Sequence, residues 1–188
     1  MTADLETLDK TVEGNSYGHN GGLTTRKLVM ASFLSAFSII LTRYVSVMIE
    51  GGSIRLGFGN LPIIISGILL GPLAGALTGV ISDLIGVLVL SQGTFHPGFT
   101  LSAILTGAIP GFIIRMNKKN KFTFLNILMA NLAVYVLISL FLNTYWLTHL
   151  LGKGFLVLLP GRAITSGIVT AINTAIIFSL SKIFKYWY

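Results

Sequence analysis

Four cations and two amides gather at one end of this chain when its apolar runs are stacked as helices: Arg43, Arg55, Lys153 and Arg162, with Asn60 and Asn143. Their shared chemistry is recognition of an anion. A guanidinium fork donates two parallel hydrogen bonds to a carboxylate, and a lysine adds a point charge. Beside them fall Phe58, Phe95, Phe99, Tyr145 and Trp146, together with His96 and His149. Flat rings stack on a planar heterocycle, and amides read its donor and acceptor edge. Only one acid, Glu50, stands in the same region. Each cation alone has an ordinary explanation, snorkelling to lipid headgroups. Four together, next to aromatics and amides, favour a binding site for a multivalent organic anion with a flat ring.

The elements that position these residues follow from composition and charge. Of 188 residues, 53% are hydrophobic and only 10% are charged, against about 25% charged in an ordinary soluble domain. The mean hydropathy is +0.83. That is the balance of an integral membrane protein. The net charge of +7 does not point to nucleic acid, because the bases flank apolar runs as positive-inside signals do. Residues 1–25 are polar, lack the apolar core of a signal peptide and read as a cytoplasmic tail; the membrane domain is 26–188. The absence of cysteine excludes disulfides, thiolate metal sites and a cysteine nucleophile.

A spanning helix needs about 20 mostly apolar residues. Clear runs cover 28–49, 122–146 and 162–183. Between Leu56 and Ile114 there is one acid, Asp83, and no base. Arg26 and Lys27, the segment RMNKKNK at 115–121, and Lys182 with Lys185 all become cytoplasmic if three more spans lie between, at 56–70, 72–90 and 98–115. Gly71-Pro72 and the polar stretch SQGTFHPG supply the breaks. The expected architecture is therefore an all-α, six-helix transmembrane bundle, with both termini cytoplasmic and a ligand pocket facing outwards. Arg43 then lies about 24 Å along its helix from Lys27, near the outer boundary.

Two features sit inside the bundle. Small residues recur at intervals of four: Gly67, Gly71, Gly75 and Gly79; Ala31 and Ser35; Ala103, Gly107 and Gly111. Such stripes let helix backbones approach closely, either within the bundle or against another protein, and composition leaves both uses open. Asp83 falls about 16 Å beyond Pro72, near mid-membrane. An intramembrane acid there is a functional hypothesis by default. With no second acid or lysine to form a proton relay, a structural hydrogen bond to a neighbouring helix is the favoured reading.

Catalytic signatures are missing. There is no phosphate-binding G-x-x-x-x-G-K-[ST] loop and no G-x-S-x-G context. His96, His149 and Glu50 match no metal-ligand spacing. Nothing supports an enzyme, and no inverted repeat supports a self-sufficient secondary transporter.

The segments RLGFGNLPIIISGILLGPLAGALTGVISDLIG, FHPGFTLSAILTG and NTYWL resemble the folate-specific substrate-binding subunits (S components, the FolT family) of energy-coupling factor (ECF) vitamin transporters. The resemblance runs from Arg26 to the C-terminus. It implies a bacterial cell-membrane bundle of six helices, its pocket capped by the loops after helices 1, 3 and 5. Folate, a pterin joined to p-aminobenzoate and glutamate, would place its pterin among Phe58, Asn60, Asn143, Tyr145 and Trp146. Its glutamate would meet Arg43, Arg55, Lys153 or Arg162, which would otherwise gate the pocket. His96 stands where a second aromatic is expected. The resemblance further implies a transmembrane coupling protein and two ATPases as partners. They consume the ATP, and this chain carries no cofactor. The coupling protein would be met on small-residue stripes that here comprise Ala31, Ser35, Gly75 and Gly79. An S component for pantothenate or riboflavin, or a stand-alone channel or facilitator, are the competing readings.

Overall fold

The charge pattern predicts six spans, and the first departure from it is the second of them. A computed structural model of the chain describes residues 23–49, 54–90, 96–117 and 123–184. The tail before Leu23, Glu50, Phe95, Lys118, Lys119, Lys121 and Lys185 lie outside the described residues. The order is α1 (Thr25–Tyr44), a two-stranded antiparallel hairpin of β1 (Val47–Ile49) and β2 (Ile54–Leu56), then α2 (Asn60–Leu70), α3 (Pro72–Leu90) and α4 (Pro97–Met116). Helices α5 (Phe124–Leu151) and α6 (starting at Phe155 and ending at Phe184) follow. Among the described residues five helices, α1, α3, α4, α5 and α6, are long and apolar enough to cross a membrane. Helix α2 has 11 residues, about 16 Å of rise, roughly half of a hydrocarbon core.

Boundaries moved for identifiable reasons. The first apolar run stops as a helix at Tyr44, and Val47–Ile49 pairs with Ile54–Leu56 instead. Branched Val and Ile fit a strand well, and the linking Glu50-Gly51-Gly52-Ser53 has the composition of a turn. An expectation of helix alone therefore missed a short hairpin. Gly57 and Gly59 precede α2 and delay it from the expected Leu56 to Asn60. Gly71, at φ 102°, ends α2, and Pro72 opens α3 at once. Helix α5 continues past the expected 146 to Leu151, where Gly152 takes the left-handed conformation at φ 64°. Helix α6 begins at Phe155 rather than 162, because the apolar run 155–159 carries the helix through Pro160.

The small-residue stripes are spent inside the chain. Gly75 and Gly79 on α3 meet the backbone of Gly107 and Ala103 on α4, so that no side chain separates the two helices. Ala31 packs on Leu70 and Ala74, and Ser35 is buried with its hydroxyl donating to the Ala31 carbonyl at 2.8 Å. Ala31, Ser35, Gly75 and Gly79, expected on the surface towards a partner, are each buried against a neighbouring helix of the same chain. A hydroxyl ladder joins α1, α2 and α3, with Ser66 Oγ and Thr78 Oγ1 2.7 Å apart and Ser82 Oγ donating to Ser35 O at 3.4 Å.

Two devices open space at one end of the bundle. The Ser38 hydroxyl on α1 donates to Gly59 O at 2.7 Å, fixing where α2 begins. Tyr44 therefore stands about 9 Å further along α1 than the start of α2. Helix α2 therefore stops short of the level that α1 reaches. The second device is the π-helical stretch Val134–Leu142 within α5. At about 100° per residue, Asn131 and Asn143 would point roughly 120° apart. With the wider i→i+5 turn, at about 80° per residue over most of that interval, they come within about 60° of each other.

Candidate functional site

The space above α2 is a cavity of about 390 Å³, within the range of small-molecule sites. Helix α1 contributes Ser38, Thr42 and Arg43, and the start of α2 contributes Gly59, Asn60, Ile63 and Ile64. From α3 come Ser82, Asp83 and Val87, and from α4 Phe99 and Ala103. The π-containing helix α5 presents Asn131, Val134, Ser139, Asn143, Leu147 and Leu150. Helix α6 presents Arg162, Ser166, Val169, Thr170 and Asn173. That last spacing is one face of a helix, and it runs about 16 Å from Arg162 to Asn173. Because α5 and α6 are antiparallel about the turn at 152–154, Asn143 lies level with Arg162, and Asn131 lies level with Asn173. The site has two storeys.

The two arginines have different surroundings. Arg43 lies along α3, where the absent side chain of Gly86 makes room: a Cβ there would sit 3.3 Å from the guanidinium. Asp83, nearly one turn away on the same helix, attracts it electrostatically. Asp83 in turn accepts a hydrogen bond from the Thr100 hydroxyl at 2.6 Å, tying α3 to α4. The favoured reading of Asp83 as the acceptor of an interhelical bond and its position on the cavity wall are both present. Among the described residues no carboxylate acts on Arg162. Its Nε is buried without a hydrogen-bond partner, as are Asn131 Nδ2, Asn143 Oδ1 and Asn173 Oδ1. A buried polar atom left unsatisfied costs about 1–3 kcal/mol, and native structures hold few of them. The residues that carry these atoms all line this one cavity.

Of the residues singled out from the sequence, Arg43, Asn60, Asp83, Phe99, Asn143 and Arg162 line the cavity. Phe58, half-buried, does not. Arg55 stands on β2 opposite Met48, and its side chain lies outside the described residues. Lys153 is exposed in the turn between α5 and α6. His96 is the N-cap of α4, its Nδ1 accepting from the Gly98 N–H at 3.1 Å. Its ring lies 5.8 Å from Phe99 and 5.4 Å from Trp146. The Trp146 indole packs against Gly98, where a Cβ would collide with it. Tyr145 is exposed, edge-on to Trp146 at 5.1 Å and to His149 at 4.8 Å. Phe99 lines the cavity, and His96, Trp146, Tyr145 and His149 extend from it as an aromatic cluster beside the cavity.

The sequence reading passed over Asn131 and Asn173. The available signal was cost: an amide in the middle of an apolar span is expensive unless it faces protein or a cavity. Their convergence depended on the π stretch and on how α5 meets α6. Ser139, Ser166 and Thr170 were missed for the same reason.

The comparisons with known proteins agree with this architecture. The family model for the ECF transporter substrate-specific component matches residues 26–181. The folate transporter FolT of Clostridium novyi (strain NT) is 34% identical over 155 residues, 82% of this chain and 87% of that protein. The folate transporter FolT of Leuconostoc mesenteroides subsp. mesenteroides is 24% identical over 163 residues, covering 84% and 85%. Among solved structures, FolT bound with folic acid shares the fold at a TM-score of 0.74 and 24% identity, over 85% of this chain and 94% of that one. The S-component for biotin from an ECF-type ABC transporter does so at 0.67 and 19%, over 86% and 95%. The family model spans most of the chain and the bundle has the S-component fold: this membrane-embedded chain belongs to the substrate-specific components of ECF transporters.

Proposed function

We propose that the chain is the folate-binding subunit of an ECF-type ABC transporter, capturing the vitamin on the outer side of a bacterial plasma membrane for ATP-driven uptake. The observation that carries this reading is the cavity itself: two arginines and four asparagines converge on it, in a chain 34% identical to a folate transporter. Folate offers a flat heterocycle with a donor and acceptor edge and a dicarboxylate tail, and the lining supplies amides, one aromatic ring and cations for those groups. The subunit binds and hands over, with no bond made or broken. A transmembrane coupling protein and two ATPases supply the energy. The half-length helix α2 counts as the sixth element of the bundle, both termini lie in the cytoplasm, and the cavity opens outwards.

Titration calorimetry on the detergent-purified chain tests the ligand. Folic acid is expected to bind with a Kd of about 1 μM or tighter, roughly −8 kcal/mol, while pantothenate and riboflavin give no measurable heat. Folate affinity no better than millimolar, or tighter binding of either other vitamin, overturns the assignment.

A further inference from the structure

The cavity depends on the first turn of α4, and that turn is held from several sides. The Gly98 N–H donates to His96 Nδ1 at 3.1 Å, and the Phe99 N–H donates to His96 O at 2.9 Å. The buried Ser102 hydroxyl donates to Gly98 O at 3.1 Å. From this turn Phe99 lines the cavity, and Thr100 donates to Asp83, also on the cavity wall. A further contact comes from α5. The Trp146 indole lies on Gly98 so closely that a Cβ there would collide with Cδ2, Cε2 and Cγ of the ring. Trp146 itself lies outside the cavity lining. Its Nε1 is buried and has no hydrogen-bond partner among the described residues, so among them packing seats the ring. Exposed Tyr145 and His149 are accounted for as interfacial aromatics. Trp146 is half-buried and set against another helix, which that account does not cover.

We infer that Trp146 is a positioning residue for ligand binding: its indole, seated on Gly98, fixes the first turn of α4 and so holds the Phe99 ring in the cavity wall. The folate reading supplies the probe, and the inference rests on it. The opening N–H groups of a helix have no partner inside it, so a first turn is the part most easily displaced. Here that turn carries a large aromatic side chain. A ring already fixed in the wall costs nothing to order when a flat ligand arrives, whereas a mobile one does. Glycine at 98 lets the indole come this close, and any side chain there would lift it. The His96 ring, 5.4 Å from Trp146 and 5.8 Å from Phe99, bridges the two. Trp146 acts on the ligand through Phe99 rather than by touching it, and residues coupled in this way give losses that do not add.

The test titrates the full chain with folic acid. Phe99→Leu and Trp146→Leu are each expected to weaken binding by about tenfold. The double variant should lose less than about threefold beyond Phe99→Leu alone. A general structural role for Trp146 would instead add the same loss in both backgrounds. Gly98→Ala approaches the contact from the other side. Alone it should weaken binding by about tenfold; added to Trp146→Leu it should cost less than about threefold more, because the colliding indole is gone. Should Trp146→Leu not purify as a single species, Trp146→Phe takes its place in the Phe99 comparison, with an expected loss of about threefold that vanishes in the Phe99→Leu background. Wild-type affinity in Trp146→Leu overturns the inference, as do additive losses in either comparison. A wild-type chain that does not bind folic acid rejects the folate reading itself, and this inference with it. A wild-type chain that binds, with variants whose losses add, rejects the positioning role alone.

Discussion

A single hydroxyl shows how little at the residue scale is redundant in this protein. Thr100 donates to Asp83 at 2.6 Å, and that bond joins α3 to the first turn of α4. Asp83 also answers the charge of Arg43, so the carboxylate must stay where Thr100 holds it. Thr100→Val keeps the shape and removes the donor. Hydrogen bonds to charged groups contribute about 1.5–3 kcal/mol in water-soluble proteins, and side-chain bonds inside membranes average less. The expected loss is therefore about 1 kcal/mol, a fall of roughly 2–4 °C in the melting temperature of a chain this size. An unchanged melting temperature would show that Asp83 is held by other means. The residue types were legible in the sequence: an acid alone in mid-membrane is conspicuous, and so is a surplus of outer cations. Which cation was compensated was not legible, because Arg43 and Asp83 stand far apart in the chain and meet only through the packing of α1 on α3.

At the scale of elements, the interface between α3 and α4 is the most extensive among the described residues and is made largely of backbone. A Cβ on Gly107 would sit 3.0 Å from Ala76 N and closer still to the Gly75 carbonyl. Main chain on both sides cannot yield as a flexible side chain does. Gly107→Val should push the helices apart and cost more than the 1–3 kcal/mol typical of overpacking, read as a large drop in melting temperature or failure to purify as a single species. Wild-type melting for Gly107→Val would mean that the helices are not in contact there. The glycine spacing predicted close approach correctly as physics, but left open which surface would use it. The answer lay in the partner stripe on α4, Ala103, Gly107 and Gly111, which the sequence also contained; nothing in one dimension says that two stripes face each other. The α2 boundary is a similar case. An apolar run over 56–70 was readable as a span, yet glycines at 57 and 59 and the Ser38–Gly59 bond shorten it, and that short helix leaves room for a ligand.

For the whole molecule, orientation is the property most open to direct measurement. The chain has no cysteine, so single cysteines report cleanly. Gly154→Cys lies in the exposed turn between α5 and α6 with room for a side chain. On intact cells a membrane-impermeant maleimide should label it, while Ser16→Cys and Lys185→Cys should react only after permeabilisation. Labelling of Ser16→Cys or Lys185→Cys from outside would invert the proposed topology and with it the outward mouth of the cavity. The positive-inside bias that underlies this expectation is a property of the linear sequence, as are the membrane class, the approximate helix count and the excess of outer cations. They depend on composition and on charge summed over segments, which folding does not alter. The membership of the cavity was decided elsewhere. Trp146, Tyr145 and His96 have the right chemistry and depth, yet they cluster beside the site. Asn131 and Asn173, silent within apolar runs, line it. Depth can be counted along a chain at a fixed rise per residue, but the direction a side chain faces depends on local winding and on the neighbouring helix. The π stretch in α5 and the truncation of α2 set those two quantities, and they exist only in the folded chain.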